Sequence, residues 1–353
     1  MVALAGAVCL VTGATGFLGT ELVRCLLADG VTPDRLRCLV RDPAVAAARG
    51  LPVASLRAGD VGDPQALRAA AADVDCVFHL AGTIKAPRAA RYFAVNRDGT
   101  QNLVDAVAAV ARPDAFTLLM SSLAAAGPSA DGVGSDLPAD RCRPVSAYGE
   151  SKRQGELAVA ASPRPYAIVR PPVVYGARDA ATRLLFAQAR APLCPVPPRP
   201  RPLSVVHVSD VVAALLRAAE VRPHGAVLPL DGPERTDTHA LLRAIAAVCG
   251  RKARLLPVPL GIAAAAASLC DFGARLLGRT SFFNGDKVKE LAAAGWVADA
   301  GSTRALLGWA ARVHLDDGLR DVALAEGWLP RVTSAAASAA PSARGSGSRP
   351  GRR

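Results

Sequence analysis

The sequence contains no paired cysteines and no metal-binding pattern. Its eight cysteines are scattered singly, without a Cys-x-x-Cys motif, and its five histidines show no metal-ligand spacing. Disulfide-rich secreted scaffolds and zinc modules carry these residues at short, regular intervals, so both classes are excluded and no metal site is predicted. Isolated thiols in a chain of this length indicate a reducing compartment, and we expect a cytoplasmic protein.

Aromatic residues are also scarce, at 4% of the chain. The formal net charge of +12 comes mostly from arginine, but no run of basic residues is interleaved with aromatic ones. Nucleic-acid binding is therefore not expected, because such surfaces combine cationic and stacking side chains. The charge indicates a solvated surface, with attraction to anionic cofactors or membranes as the less favoured interpretation.

The uncharged stretch from Leu255 to Cys270 is too short to cross a bilayer. A membrane-spanning helix needs ~20 apolar residues, and this stretch contains two prolines. A packed helix or substrate lid is favoured there over an interfacial membrane anchor. The apolar N-terminus has no basic residues before it and runs directly into a glycine motif, so it is interpreted as a first strand rather than a signal peptide.

Apolar residues make up 51% of the 353 residues, enough for a sizeable core. Short aliphatic strands alternate with helical patterns over residues 1–170, which predicts an α/β fold with a doubly wound parallel sheet of the Rossmann type. Residues 171–330 are interpreted as a smaller mixed α/β substrate lobe, with a return segment to the Rossmann sheet near 203–222. The strand at 226–230 is assigned to this lobe. The Ser-, Ala-, Gly-, Pro- and Arg-rich tail, 331–353, is expected to be disordered.

A glycine motif follows the first predicted strand and opens a helical pattern. Its sequence is Thr12-Gly13-Ala14-Thr15-Gly16-Phe17-Leu18-Gly19. Glycines at these positions allow a tight turn and a close approach to a pyrophosphate, which then lies at the positive end of the helix dipole. The strand before the motif and the helix after it predict a site for a dinucleotide cofactor.

The end of the second predicted strand bears on which dinucleotide is bound. Arg41 and Asp42 stand about twenty residues past the last glycine, where a guanidinium pairs with the 2′-phosphate of NADP and a carboxylate holds the 2′-hydroxyl of NAD. Arg41 comes first, so NADP is favoured, and Asp42 leaves NAD open. Asp60, which follows the third strand, is placed to accept a hydrogen bond from the adenine amino group.

Tyr148 and Lys152 are four residues apart on a predicted helix that Ser146 caps, so their side chains share one face. A phenol ionises near pH ~10, and acid–base work near neutrality requires a shift of about three units, or roughly 4 kcal/mol. One unit charge at about 4 Å, in an effective dielectric of about 20, supplies this energy. The spacing therefore predicts that Lys152 lowers the pKa of Tyr148.

Taken in order, these motifs resemble those of extended short-chain dehydrogenases/reductases, the group that contains sugar-nucleotide epimerases and 3β-hydroxysteroid dehydrogenases. The resemblance covers residues 1 to about 330, and the closing pattern around Trp296, Trp309 and Trp328 is similar to the hydroxysteroid-dehydrogenase-like branch. It implies a Rossmann fold, an NAD(P) cofactor and a homodimer formed through the Asn96 and Tyr148 helices.

The resemblance also implies roles for individual residues. Tyr148 is the acid/base, Lys152 lowers its pKa and holds the nicotinamide ribose, Ser122 polarises the substrate carbonyl, and Asn96 supports the lysine through water. Ser121 is the alternative donor to the carbonyl. The expected cofactor contacts are Thr12, Gly13, Thr15, Gly16, Phe17, Leu18, Gly19, Arg41, Asp60, Val61, Leu80, Ala81, Gly82, Ser121, Tyr148, Lys152, Pro171 and Val173.

Departures from the family pattern indicate the type of substrate. Sugar-nucleotide enzymes bind the substrate diphosphate with an asparagine where this chain has Val173, and with an arginine near Leu203, although Arg199 and Arg201 are close. A pyrophosphate would be desolvated there without compensation, so a hydrophobic hydroxy or keto compound is favoured.

The expected function is therefore an NAD(P)-dependent oxidoreductase that interconverts a hydroxyl and a carbonyl on a sterol-, polyketide- or 3-oxoacyl-like substrate. One alternative is a nucleotide-sugar epimerase that retains its cofactor. The other is a non-catalytic NADP-sensing protein. The sequence leaves the substrate and the direction of the reaction open.

Overall fold

The computed structural model describes residues 4–86, 88–276 and 285–329; the tail predicted at 331–353 lies outside them. Within these ranges the strands are β1 (Cys9–Thr12), β2 (Leu36–Val40), β3 (Leu56–Ala58), β4 (Cys76–His79), β5 (Phe116–Met120), β6 (Tyr166–Arg170), β7 (Val173–Tyr175), β8 (Cys194–Val196), β9 (Pro202–His207), β10 (Ala226–Pro229), β11 (Arg235–Asp237) and β12 (Leu255–Pro257).

The helices of the same ranges are α1 (Phe17–Ala28), α2 (Pro43–Ala48), α3 (Pro64–Ala71), α4 (Ala89–Phe93), α5 (Gly99–Val110), α6 (Leu123–Ala126), α7 (Ala147–Ala160), α8 (Ala180–Arg190), α9 (Val208–Val221), α10 (Thr238–Val248), α11 (Leu260–Leu276), α12 (Gly285–Ala292), α13 (Gly301–Leu307) and α14 (Leu315–Ala325). None of them is long and apolar enough to cross a membrane.

The main sheet has seven parallel strands in the order β10-β6-β5-β4-β1-β2-β3. Its central strands are buried along their whole length, because β1, β4 and β5 are nearly continuous apolar runs with helices on both faces. The predicted Rossmann-type fold is confirmed. The strand order reverses between β1 and β4, and ligands bind at the carboxyl edge beside such a switch point.

The strand β10 belongs to this sheet, so its assignment to the substrate lobe was wrong. It pairs in parallel with β6, from Ala226 opposite Ala167 to Pro229 opposite Arg170. The chain returns through α9, which packs against α1 and leads into β10. The sequence of a four-residue apolar strand is compatible with either sheet. Only the pairing of β10 with β6 shows that it belongs to the main sheet.

The second lobe has its own apolar core. It contains a three-stranded sheet in the order β11-β9-β7 and the parallel pair β12-β8, with α8, α10 and α14 packed on them. The rings of Phe186 and Trp328 stack in this core with their centroids 4.7 Å apart. Because β7 follows β6 after only two residues, this lobe faces the carboxyl edge of the main sheet.

Candidate active site

The glycine motif forms the tight turn between β1 and α1. Gly13 has a φ of +73°, and a Cβ there would lie 2.7 Å from main-chain atoms of Leu80 and Ala81, so only glycine fits. Gly16 is the N-cap of α1, and no side chain caps the first turn of this helix. The open N–H groups and the close backbone approach form a cradle that fits the pyrophosphate of a dinucleotide.

The end of β2 beside this turn is cationic. The Asp42 carboxylate caps α2, where it accepts hydrogen bonds from the N–H groups of Ala44 at 2.9 Å and Val45 at 3.1 Å. The Arg41 side chain is 77% exposed, and its Nε lies 3.9 Å from the Asp60 carboxylate. The Asp42 carboxylate is therefore used to cap α2, whereas the Arg41 side chain is exposed to solvent.

A second arginine, Arg49, reaches the same place. It follows α2, and its guanidinium donates a hydrogen bond of 2.6 Å to the carbonyl oxygen of Thr15 in the glycine turn. The sequence did not predict this contact, because only the short helix α2 returns Arg49 to the turn. Arg41 and Arg49 thus place two cationic groups at the cofactor edge of β2.

The helix α7 begins as predicted. The Ser146 hydroxyl caps it by accepting a hydrogen bond of 3.0 Å from the N–H of Gly149. Tyr148 is half-buried in the first turn, and its ring centroid lies 5.9 Å from that of Tyr92. Burial raises the pKa of Tyr148 to about 12, and a hydrogen bond with Ser122 opposes this only in part.

The prediction that Lys152 lowers the pKa of Tyr148 is wrong for this structure. The Lys152 ammonium is buried and donates a hydrogen bond of 2.7 Å to the main-chain oxygen of Met120, at the end of β5. The ammonium group therefore points to the Met120 carbonyl and not to the Tyr148 hydroxyl. Burial lowers the pKa of Lys152 to about 8, against the opposing effect of the Glu156 carboxylate.

The titration of Lys152 predicts a pH dependence of cofactor binding. The charged ammonium is present below pH about 8 and is lost as the pH rises through this value. We expect the Kd for the reduced dinucleotide, measured by fluorescence titration, to rise above pH about 8 in the wild-type protein. In Lys152→Met the Kd should not change over the same pH range. A wild-type Kd that stays constant to about pH 10, the ordinary range of a lysine, would contradict the assignment.

Two adjacent serines follow β5, and only one faces the tyrosine. Ser122 caps α6, with its hydroxyl oxygen 3.1 Å from the N–H of Ala124, and it shares a hydrogen bond with Tyr148. Ser121 is buried, and its hydroxyl donates a short hydrogen bond to the Glu156 carboxylate. The alternative in which Ser121 is the donor to the substrate carbonyl is therefore wrong, because the Ser121 hydroxyl proton is directed to Glu156.

Asn96 lies in a π-helical turn, Ala94–Asp98, which interrupts the single helix predicted for residues 89–111. Its side-chain amide bonds to the main chain of Thr83, at 2.8 and 3.1 Å, and donates to the Ser151 hydroxyl at 2.9 Å. Asn96 Oδ1 and Lys152 Nζ both lie within 3.2 Å of the point where a Cβ on Gly82 would stand. Its direct partners are thus Thr83 and Ser151, and it lies beside the lysine.

His79 is a core residue that connects the glycine turn to the π-helical turn. Burial lowers its pKa to about 3, so the ring is neutral. Thr12 Oγ1 lies 2.6 Å from Nδ1, Thr100 Oγ1 lies 3.0 Å from Nε2, and the Thr100 hydroxyl donates to the Asn96 carbonyl at 2.8 Å. This chain of hydrogen bonds assigns the proton to Nε2 and fixes Asn96 relative to β1.

A buried ion pair behind the site was missed in the sequence. Arg170 and Glu156 have fully buried side chains, joined by hydrogen bonds of 2.6 and 2.9 Å. Arg170 also donates to the carbonyl oxygens of Ser135 and Leu137, in the loop between α6 and α7, which is called the cleft loop below. The pair fastens this loop to α7 and β6. Glu156 stands four residues after Lys152 on one helical face, which indicated a carboxylate near the lysine but not its partner Arg170 on β6.

The positions at which sugar-nucleotide enzymes bind the substrate diphosphate are aliphatic in this chain. Val173 on β7 is 38% exposed and pairs with Val205 on β9, and Leu203 is buried on the same strand. Arg199 is exposed, while Arg201 Nε is buried without a hydrogen-bond partner among the described residues. The side chains of the diphosphate clamp of the sugar-nucleotide enzymes are therefore replaced at Val173 and Leu203, and Leu203 packs in the apolar core of the second lobe.

The helix α12 closes the cleft at the start of α7. The Asp286 carboxylate accepts a hydrogen bond of 3.1 Å from the N–H of Ala147, and the Ser146 hydroxyl donates to Glu290 at 2.9 Å. The negative charge of Glu290 adds to the raised pKa of Tyr148. Both carboxylates sit at the positive end of the helix dipole of α7, so α12 is held in place there.

Comparisons with known proteins agree with this arrangement. The NAD dependent epimerase/dehydratase family matches residues 9–228. Ceramide reductase of Caulobacter vibrioides is 36% identical over 330 residues, which cover 91% of this chain and 96% of that protein. The 4-hydroxy-2-methyl-3-oxo-4-farnesyl-3,4-dihydroquinoline-1-oxide ketoreductase of Stigmatella aurantiaca is 29% identical, over 81% of this chain and 92% of that protein.

Among solved structures, MoeE5 in complex with UDP-glucose and NAD has a TM-score of 0.68 at 24% identity, and the match covers 90% of this chain and 98% of that one. This likeness shows the fold alone. The family match and the two relatives confirm the resemblance inferred from the motifs. The chain belongs to the NAD dependent epimerase/dehydratase family and is an NAD(P)-dependent dehydrogenase/reductase of the extended short-chain type.

Proposed function

We propose that this enzyme uses NADPH to reduce a ketone on a long-chain lipid to a secondary alcohol, with Tyr148 as the proton donor. The observation that carries the proposal is the hydrogen-bonded pair of Tyr148 and Ser122, together with the aliphatic Val173 and Leu203 at the positions where sugar-nucleotide enzymes bind a diphosphate. Two relatives of nearly full length, named as a ceramide reductase and a farnesyl-quinoline ketoreductase, support a hydrophobic substrate.

The state of Tyr148 supports the direction of reduction. With a pKa raised to about 12, the phenol keeps its proton at neutral pH and is ready to act as an acid. Oxidation of an alcohol would instead need the phenolate, which burial and the charge of Glu290 oppose. The site therefore holds the phenol in the protonated form that reduction requires.

The residues of the chain then act on the substrate oxygen. A bound reduced nicotinamide supplies the hydride to the carbonyl carbon. Tyr148 donates its phenolic proton to the oxygen as negative charge develops there, and the Ser122 hydroxyl donates a hydrogen bond to the same atom. Lys152 holds the ribose of the cofactor, and Asn96 keeps the loop at Gly82 and Thr83 beside it.

We further propose that NADPH is preferred over NADH through Arg41 and Arg49. Changing either residue to serine is expected to raise the Kd for NADPH about 10- to 100-fold, because a hydrogen bond to a charged group contributes about 1.5–3 kcal/mol. The Kd for NADH should stay unchanged in Arg41→Ser and should rise less than the Kd for NADPH in Arg49→Ser, which also loses the contact with Thr15. Fluorescence titration with both cofactors makes the comparison, and Arg57→Ser, on the neighbouring strand β3, is the control. An equal effect on both cofactors would reject the assignment.

The proposed reaction is tested by following the absorbance of the reduced nicotinamide with two substrates. We expect oxidation of NADPH with the ketone that corresponds to ceramide, presented in detergent micelles. UDP-glucose should cause neither consumption of cofactor nor formation of a new sugar. Conversion of the sugar nucleotide, with no turnover of any hydrophobic ketone, would reject the proposal.

One observation favours a second candidate, a nucleotide-sugar epimerase. Arg201 Nε is buried and has no partner among the described residues, and such an unpaired donor suits a substrate phosphate. Under this alternative, Arg201→Leu would abolish the binding of UDP-glucose, and cofactor would remain bound through gel filtration. Under the lipid proposal, neither the wild-type protein nor Arg201→Leu should bind UDP-glucose.

A further inference from the structure

A cleft on the second lobe is lined by basic side chains. Arg190, at the end of α8, faces the segment that leads into β12, which contributes Arg251, Lys252 and Arg254. The Arg190 guanidinium stacks over the Trp328 ring at 5.4 Å, and Arg251 donates to the Arg190 carbonyl at 2.9 Å. The rest of the lining is alanine and proline, so no acidic residue balances these four charges in the cleft.

Aliphatic side chains stand in solvent next to this cleft. Leu193 is 57% exposed, immediately after the cleft residue Pro192, and Leu256 on β12 is 43% exposed. The pairing of β12 with β8 holds the two segments side by side. Aliphatic side chains exposed beside a cluster of unbalanced basic groups are typical of an interaction surface.

The helix α11, which follows β12, also exposes aliphatic side chains. It begins three residues after β12 ends, and it exposes Ile262 by 61% and Leu269 by 72%. The alanines between these residues are largely exposed as well, and no charged residue occurs from Leu255 to Cys270. The sequence favoured a packed helix or substrate lid here over an interfacial anchor, but most of the side chains described in α11 are exposed to water.

This surface is connected to the active site. The helix α11 packs against α12, and α12 places Asp286 and Glu290 at the start of α7. A molecule held against α11 would therefore lie beside the helix that closes the cleft.

We propose that this basic–aliphatic face, formed by Arg190, Arg251, Lys252, Arg254, Leu193, Leu256, Ile262 and Leu269, docks on the surface of an anionic phospholipid bilayer. The basic groups meet the lipid phosphates, and the leucine and isoleucine side chains enter the boundary between headgroups and acyl chains. We expect this face to bind the bilayer in the absence of cofactor and substrate. The proposal is therefore independent of the proposed ketone reduction.

The test is flotation of the full-length protein with vesicles of phosphatidylcholine, with and without phosphatidylglycerol. We expect binding that requires phosphatidylglycerol and weakens at high salt. Lys252→Glu combined with Arg254→Glu should weaken binding about 30-fold or more, because each basic residue near such a surface contributes about 1 kcal/mol. Leu269→Asp should weaken it about 10-fold, since insertion of a leucine side chain contributes about 1.5 kcal/mol or more.

Matched control variants lie on the main sheet side of the molecule. Arg57→Glu combined with Arg68→Glu makes the same change in charge, and Val53→Asp alters a side chain that is 75% exposed. Both should bind vesicles as the wild type does. Reduction of a short, water-soluble ketone should be the same in all of these proteins, because none of the changed residues lies in the active site.

Three results would overturn the proposal. The first is no binding to either vesicle, and the second is equal binding to both. The third is a wild-type dimer in gel filtration that Leu269→Asp converts to a monomer while vesicle binding is unchanged, because the face would then serve a second copy of the chain.

Discussion

Replacing Tyr148 with phenylalanine is expected to lower kcat for ketone reduction by about 10²- to 10⁴-fold, the usual contribution of a positioned general acid. The ring stays in place against Tyr92, so the fold and the Kd for NADPH should be unchanged. Steady-state kinetics with NADPH and a hydrophobic ketone, together with fluorescence titration of the cofactor, separate the two effects.

Tyr92→Phe is the control for this change, because it removes a hydroxyl from the neighbouring ring of the same pocket. Its kcat should remain close to that of the wild type. The result that would reject Tyr148 as the proton donor is a Tyr148→Phe enzyme that keeps a tenth or more of the wild-type kcat. Ser122→Ala should give a smaller loss, since the tyrosine still supplies the proton.

The largest effect on stability is expected at the buried ion pair. Glu156→Leu leaves the Arg170 guanidinium buried without its counter-charge and should lower the free energy of unfolding by about 3–5 kcal/mol. Arg170→Met should have a similar cost, and the double variant should cost less than the sum, because no isolated charge remains. Urea denaturation followed by circular dichroism measures all three.

The surface pair Arg24 and Glu21 is the matched control. Its side chains are partly exposed, and replacing them with alanine should change stability by about 1 kcal/mol or less. A Glu156→Leu protein as stable as this control would show that the buried pair does not fasten the cleft loop.

Local patterns predicted much of the cofactor side of the site. The glycine turn, the capped helix α7 and the buried central strands all depend on residues that are close in sequence, so their patterns were sufficient. The role of Asp42 was also local: an aspartate before a proline is typical of a helix start, and this signal competes with a role in ribose binding.

The features that were missed depend on distant contacts. Nothing near Arg49 in the sequence indicates that its side chain returns to Thr15, and the partners Glu156 and Arg170 stand on different elements. The direction of the Lys152 ammonium depends on the Met120 carbonyl, which α7 meets only in the folded protein. For this reason the spacing of Tyr148 and Lys152 predicted their common face correctly but gave the wrong sign for the pKa shift.

The most direct test of the proposed reaction uses NADPH that carries deuterium at the transferred position, incubated with the ketone that corresponds to ceramide. Mass spectrometry of the lipid should find one deuterium on the new carbinol carbon with the wild-type enzyme, and about 100-fold less of this product or lower with Tyr148→Phe in the same time. An unchanged lipid, together with epimerisation of UDP-glucose by the same preparation, would contradict the account.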